Sequence, residues 1–426
     1  MDMARQVERI ATVEAGGATV GALFQQLNSP LGVALLTLLA YGAYAIARLL
    51  SLGGDITRFT LASDKFIPAA AARAVGLSVQ TRGYGYDGQF YYLLALNPFA
   101  AHPALAGAHF DLPAYRAQRI LYPLLAWALG LGGRPALVPW MLVAINLAAI
   151  VAIGALGAKL AQRMGIAPLW GAALAFYPGL PLSLAGDLAE PLALACALGG
   201  LLCARDRRWG WAALLLSLAV LTRETTALLA AALLAAALLA RLTPLPALRL
   251  PTLRLIPLDE WRGAALAGLA PLLVALGWQA ALLARFGQLG LVAAGSNNLG
   301  FPLLGLFEGV VAWFVLWPPL IVALHTVYVI YLLALAELTR RALLRQRRAN
   351  QQADWLTLAW AGYLLMTLCL SIFVWDYYWN FLRGAIELAT LSLLLLMAAS
   401  PRVRRFALTA TLALWLVTFV VSVAMV

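Results

Sequence analysis

Residues 209–240 read WGWAALLLSLAVLTRETTALLAAALLAAALLA, and Arg223 and Glu224 are the charged residues among them. As one helix these 32 residues would run about 48 Å at ~1.5 Å per residue. That is too long for a hydrocarbon core of about 30 Å. A break at Thr222-Arg223-Glu224 instead makes two short helices folded back on each other. Their shared tip then lies below the outer surface or thins the bilayer locally. A charged pair at that depth is a candidate functional site.

Outward from this hairpin, the apolar character continues along the chain. Of 426 residues, 63% are hydrophobic and 11% are charged, under half the ~25% charged share of soluble domains. A bilayer accepts so much apolar surface as solvent, provided the backbone is satisfied within helices. The expectation is an all-α fold, a polytopic transmembrane helical bundle of about eleven spans. They fall at 31–50, 138–158, 167–186, 188–204, 209–222, 225–240, 264–284, 309–334, 355–374, 384–399 and 406–426. Residues 31–426 are expected to form a single transmembrane domain. Residues 1–30 lack a compact signal-peptide pattern and read as a cytoplasmic leader.

The net charge of +12 does not point to nucleic acid. Basic residues come in short clusters between apolar runs: Lys159/Arg163, Arg205/Arg207/Arg208, Arg241 to Arg262, Arg340 to Arg348 and Arg402 to Arg405. Such clusters set topology through the positive-inside rule. Starting inside, this threading puts 19 of the 30 basic residues in the cytoplasm with 8 of the 18 acids. The cysteines Cys196, Cys203 and Cys369 sit inside apolar runs and read as packing residues. The histidines His102, His109 and His325 have no metal-ligand spacing, so neither a metal nor another cofactor is expected.

The longest stretch outside the spans is the first outer loop, 51–119, expected to fold into juxtamembrane helices. Residues 120–132 (ILYPLLAWALGLG) are apolar, but 13 residues fall short of the ~20 needed to cross. They are expected to be re-entrant or interfacial.

Sorted by side, the outer face collects the candidates. The first loop supplies Asp55, Asp87, Arg116 and Arg119, with the polar and aromatic run GYGYDGQFYY at 83–92. Later loops supply Asp187 and Glu190, then Arg223 and Glu224, then Asp376, Tyr377 and Arg383. Carboxylates accept hydrogen bonds from sugar hydroxyls, arginines grip phosphate in a bidentate fork, and aromatic faces pack on sugar rings. Each has a plainer reading too. Asp55 can cap a helix, and Asp87 can serve an ordinary turn. Arg223 and Glu224 can neutralise each other, and Tyr377 and Tyr378 can belong to an interfacial aromatic belt. Arg48, inside the first span, reads as snorkelling outward.

The order of these features resembles the GT-C glycosyltransferases, which take sugars from polyprenyl-phosphate carriers on the outer or lumenal face. The branch it is most similar to adds the second mannose of GPI anchors and has bacterial relatives. The resemblance covers roughly residues 31–240 and rests on YDGQFYY (86–92), RILYPLLA (119–126), INLAA (145–149), YPGLPLSLAGDLAEP (177–191) and LTRETT (221–226). Tyr86 stands where that branch has tryptophan, and the segment around Asp187 and Glu190 lacks its Tyr-Ser. What the resemblance implies is inverting transfer of a sugar, mannose in that branch, from a lipid-linked polyprenyl-phosphate donor. The acceptor would be a lipid, a glycan or a protein, at the outer face of a bacterial cytoplasmic (inner) membrane. The carrier phosphate leaves readily, so one carboxylate suffices as general base: Asp87 first, Asp55 as runner-up. Arg116, Arg119, Arg223 and Arg383 would stabilise the phosphate as its charge grows.

Two rival readings stay open. A lipid or solute transporter would place its polar residues near the midplane, at broken helices in two related halves. A non-catalytic subunit of a membrane complex would share the bundle without the chemistry.

Overall fold

The Ser29-Pro30 pair starts the first long helix. Ser29 Oγ accepts from the Gly32 amide at 3.0 Å, and Pro30 brings its fixed φ to the first turn. The helix Pro30–Ser51 ends at Gly53 and Gly54, whose φ of 71° and 80° suit glycine at a helix C-terminus. In this computed structural model the described residues are 26–242, 253–254, 256–257, 259–349, 353–376 and 380–424. Most of the expected leader and the Tyr377-Tyr378 pair lie outside them.

The described chain is an all-α bundle. The exception is a two-residue parallel pairing of Leu253–Arg254 with Ala353–Asp354. Six helices are long and apolar enough to cross a membrane: Pro30–Ser51, Val138–Arg163, Glu224–Arg241, Trp261–Phe286, Pro319–Arg348 and Pro401–Ala424. Their outward faces carry exposed apolar side chains, among them Leu39, Leu273, Ile330 and Leu416. A water-soluble protein would bury such faces, whereas a bilayer accommodates them. These are the features of an integral membrane protein.

Several of the expected spans are not continuous helices. Residues 167–186 form a 3-10 turn Pro168–Gly171 and two short helices, Ala172–Ala175 and Gly179–Ala185. Pro178 and Pro181 lack an N–H, and their rings disfavour helix on their N-terminal side. The interruption would strand carbonyls in an apolar interior; Tyr41 answers one of them, while Tyr44 adds a second donor to a helical carbonyl. Tyr41 donates to the Ala175 carbonyl at 2.7 Å and Tyr44 to that of Pro181 at 3.0 Å. Likewise 309–334 is not one span. It divides at Trp317-Pro318 into Leu304–Leu316 and Pro319–Arg348. The residue before a proline is driven to extended backbone, and Trp317 and Pro318 have ψ of 148° and 150°. The expected span 355–374 is the helix Leu356–Leu368, followed after a turn by Ile372–Asp376. Four further apolar helices, Trp209–Thr222, Leu304–Leu316, Leu356–Leu368 and Ile386–Met397, are shorter than 18 residues. Trp209–Thr222 is short as its sequence leads one to expect, whereas the expected spans 355–374 and 384–399 form helices of 13 and 12 residues.

The first loop builds its own apolar core from Phe66, Ile67, Phe90, Tyr91, Tyr92 and Tyr122 against Val138 and Leu142. Its principal helix, Asp87–Leu96, is buried from Gly88 onward. Gly88 permits a close approach: a Cβ there would meet the Gly186 carbonyl oxygen at 2.3 Å and that of Thr60 at 2.8 Å. Asp87 is thereby held against the segment that carries Asp187 and Glu190. The apolar segment after the loop is the nine-residue helix Leu121–Leu129, about 13 Å long at ~1.5 Å per residue. It packs beside Asp87–Leu96 and Val138–Arg163 and is too short to cross.

Candidate functional site

Five separate segments bring their charges to one place. Asp87 opens the helix Asp87–Leu96, and Glu190 opens Glu190–Arg205. Arg116 and Arg119 follow one another at the end of the loop. Arg223 and Glu224 form the tip between Trp209–Thr222 and Ala227–Leu242. Arg383 lies in Asn380–Gly384, with Glu387 one turn later.

Asp87 is the hub. Its Oδ1 lies 2.7 Å from Arg116 Nη1, and its Oδ2 lies 2.9 Å from Arg383 Nη2 and 3.9 Å from Arg119 Nη1. Arg116 also forks onto Asp111, with Nε–Oδ1 at 2.8 Å and Nη2–Oδ2 at 2.6 Å. Arg119 forks onto Glu224 at 2.9 and 2.7 Å. Arg383 donates from Nε and Nη2 to Glu190 at 2.9 and 2.7 Å, and from Nη1 to the Tyr86 hydroxyl at 2.8 Å. Arg223 reaches Glu190 at 3.2 Å and Glu387 at 3.3 Å. These two contacts are ion pairs without hydrogen-bond alignment. Planar guanidinium forks suit carboxylates and phosphates alike.

Burial alone would raise the Asp87 carboxyl, but the guanidinium charges of Arg116, Arg383 and Arg119 outweigh it. Together they hold it well below the usual carboxylate range. Asp87 is therefore ionised at neutral pH, and its proton affinity is low while the arginines stay in place.

The charge inventory matters for any anionic ligand. Arg116, Arg119, Arg223 and Arg383 face Asp87, Asp111, Glu190, Glu224 and Glu387. Four guanidiniums against five carboxyl groups leave no spare positive charge inside the network.

A cavity adjoins it. Arg48, Leu61, Tyr86, Leu182, Ala185, Gly186, Leu188, Trp317, Ile321, His325, Arg383 and Ser422 line about 690 Å³, open mouth included. Arg383 and Tyr86 belong to both network and cavity.

Of the residues nominated from sequence, seven meet in this network: Asp87, Arg116, Arg119, Glu190, Arg223, Glu224 and Arg383. Asp55 does not. It caps the 3-10 turn Ile56–Thr60, accepting from the Thr57 amide at 2.9 Å and from the Thr57 and Ser78 hydroxyls. Asp376 accepts from Trp317 Nε1 at 3.1 Å, close to the cavity wall, while Tyr377 lies outside the described residues. Asp187 is wholly buried at a φ of 47°, with no hydrogen-bond partner at either oxygen. Arg48 corrects its sequence reading. It is 5% exposed and turns inward, donating from Nη1 to the Ser422 carbonyl. Glu387 was missed altogether, although a lone acid inside an apolar run is itself a signal.

Among the described residues no group of three or more His, Cys, Asp or Glu side chains is placed to hold a metal ion. No protein-family model, curated protein or solved structure matches the chain.

Proposed function

We propose that this protein is a membrane glycosyltransferase that moves a sugar from a polyprenyl-phosphate carrier to an acceptor at the outer face of a cytoplasmic membrane. The observation that carries the reading is the convergence of Asp87 with Arg116, Arg119 and Arg383 beside a cavity that Arg383 also lines. Membrane lipids surround the bundle, and the acceptor is a lipid, a glycan or a protein.

The transfer requires three things. The acceptor hydroxyl must lose a proton, its oxygen must form a bond to the anomeric carbon, and the bond from that carbon to the carrier phosphate must break. Asp87 takes the proton. Its basicity is low while three guanidiniums surround it, and it rises as the incoming phosphate draws their hydrogen bonds away. The same arginines then meet the charge that grows on the leaving phosphate. Attack from the face opposite the phosphate inverts the anomeric centre.

The test is transfer of labelled sugar from a polyprenyl phosphate in proteoliposomes. A general base contributes ~10²–10⁴-fold to rate, so Asp87→Asn should lose at least a hundredfold in turnover while carrier binding survives. Full turnover in Asp87→Asn would remove the base, and with it the support for transfer at this network.

One observation favours a second reading. Asp187 is buried and unpartnered between the short helices Gly179–Ala185 and Glu190–Arg205. Ion-coupled transporters place coupling groups at such helix breaks. Proton or cation flux through protein-containing vesicles, abolished by Asp187→Asn without loss of folding, would favour the transporter over the transferase.

A further inference from the structure

The network already neutralises each of its arginines with a carboxylate. Arg48 is different. It reaches the cavity from the last turn of Pro30–Ser51, and its Nε is buried with no hydrogen-bond partner. Its Nη1 bonds to a main-chain carbonyl, that of Ser422. Among the described residues no carboxylate pairs with it. A buried guanidinium left without a counter-charge is costly and calls for an anion.

Arg383, a second guanidinium, lines the same cavity. Two arginines lining one cavity suit a group with several acceptor oxygens and a double negative charge, and phosphate is such a group. The surroundings say how it arrives. Arg48, Ile321 and Ser422 come from three long apolar helices, Pro30–Ser51, Pro319–Arg348 and Pro401–Ala424. Other faces of the same helices expose apolar side chains, Leu50, Leu320 and Val420 among them. Such faces meet lipid, so a phosphate that reaches this cavity from the surrounding bilayer is one carried on a hydrocarbon chain.

We infer that the Arg48 cavity is an anion subsite for the phosphate of a lipid phosphomonoester or phosphodiester. This deepens the proposed transferase by assigning the carrier phosphate to Arg48 and Arg383, while Arg116, Arg119 and Arg223 remain occupied by carboxylates until the phosphate is in place.

The experiment is binding without sugar. The full chain in neutral detergent is titrated calorimetrically with dioctanoyl phosphatidic acid, with inorganic phosphate and with dioctanoylglycerol. The lipid phosphate should bind and the uncharged lipid should not. Arg48→Gln should weaken binding about tenfold to a hundredfold, the loss of one charge-assisted hydrogen bond. Arg48→Lys should restore part of it. Arg205→Gln, at the opposite end of the bundle, should bind as the wild type does. Should Arg48→Gln fail to fold, Ile321→Trp narrows the cavity without touching a charge and should reduce binding too. Equal affinity in wild type and Arg48→Gln would overturn the subsite, as would undiminished binding in Ile321→Trp. Inorganic phosphate binding as tightly as the lipid, and in an Arg48-dependent way, would support the anion subsite and overturn the lipid as its source. Because no sugar is present, Arg48-dependent binding alongside absent transfer would count against the transferase reading alone.

Discussion

Arg383 is the joint on which the network turns, and its removal has a calculable consequence. Arg383→Met keeps much of the side-chain length and deletes the guanidinium. Glu190, 1% exposed, then loses its donors at 2.9 and 2.7 Å. What remains is Arg223 at 3.2 Å, without hydrogen-bond alignment. Asp87 loses its partner at 2.9 Å but keeps Arg116 at 2.7 Å. Removing one member of a buried ion pair costs about 3–5 kcal/mol, because the other charge is stranded. Glu190→Gln in the same background removes the stranded charge and should recover about half of that loss. The pH dependence has a definite sign. The depressed Asp87 carboxyl contributes stability that is complete above its unfolded value near ~3.9 and is lost as the pH falls further. The variant has less of this term to lose, so its deficit should narrow below about pH 4. Thermal unfolding in detergent, followed by intrinsic fluorescence between pH 3 and 8, reads all three quantities. A deficit under ~1 kcal/mol, or a double variant no better than the single one, would refute a network held together by buried pairing.

Two further outcomes follow from the fold. Asp55→Ala should lower stability by about 1 kcal/mol, the usual worth of a capping side chain. It should leave sugar transfer intact, because Asp55 is committed to Thr57 and Ser78. Transfer assays on the folded variant decide this, and lost turnover would return Asp55 to the site. Single cysteines at Gln346 and Asn297, with Cys196, Cys203 and Cys369 replaced by serine, should label from opposite sides of the membrane. Labelling of Gln346 from the outside would invert the topology that the basic clusters predict.

What was legible in the sequence depended on contrast. Arg223 and Glu224 stood out because they interrupt an otherwise uncharged run of 32 residues, and the fold puts them at the junction of Trp209–Thr222 and Ala227–Leu242. Glu190 and Arg383 were legible for a similar reason, as charges at the ends of apolar runs. Continuity of the helices was not. Hydropathy averages over 167–186 and 309–334 hardly register Pro178 or the Pro318-Pro319 pair, yet local backbone geometry stops the helix at each of them. The azimuth of a side chain was equally hidden. Arg48 near the end of a span snorkels or turns inward according to which neighbours pack against that face, and those neighbours lie some 370 residues later, around Ser422.

That last point bears on how the site is built. The seven nominated residues that converge span Asp87 to Arg383, so no local segment could hold them. The broken helix Gly179–Ala185, the close approach at Gly88 and the short hairpin tip do so instead. Each departs from regular structure in an apolar setting, and each is compensated. Tyr41 answers the freed Ala175 carbonyl, Gly88 removes a clash, and Arg223 and Glu224 find partners. Among the buried side-chain atoms left without a hydrogen-bond partner are the Arg48 Nε and both Asp187 oxygens. An unpartnered polar atom of an ionisable side chain in an apolar interior marks a place that a ligand or a proton can complete. The transferase and the transporter readings therefore divide on which of the two is completed first: an anion on Arg48, or a cation on Asp187.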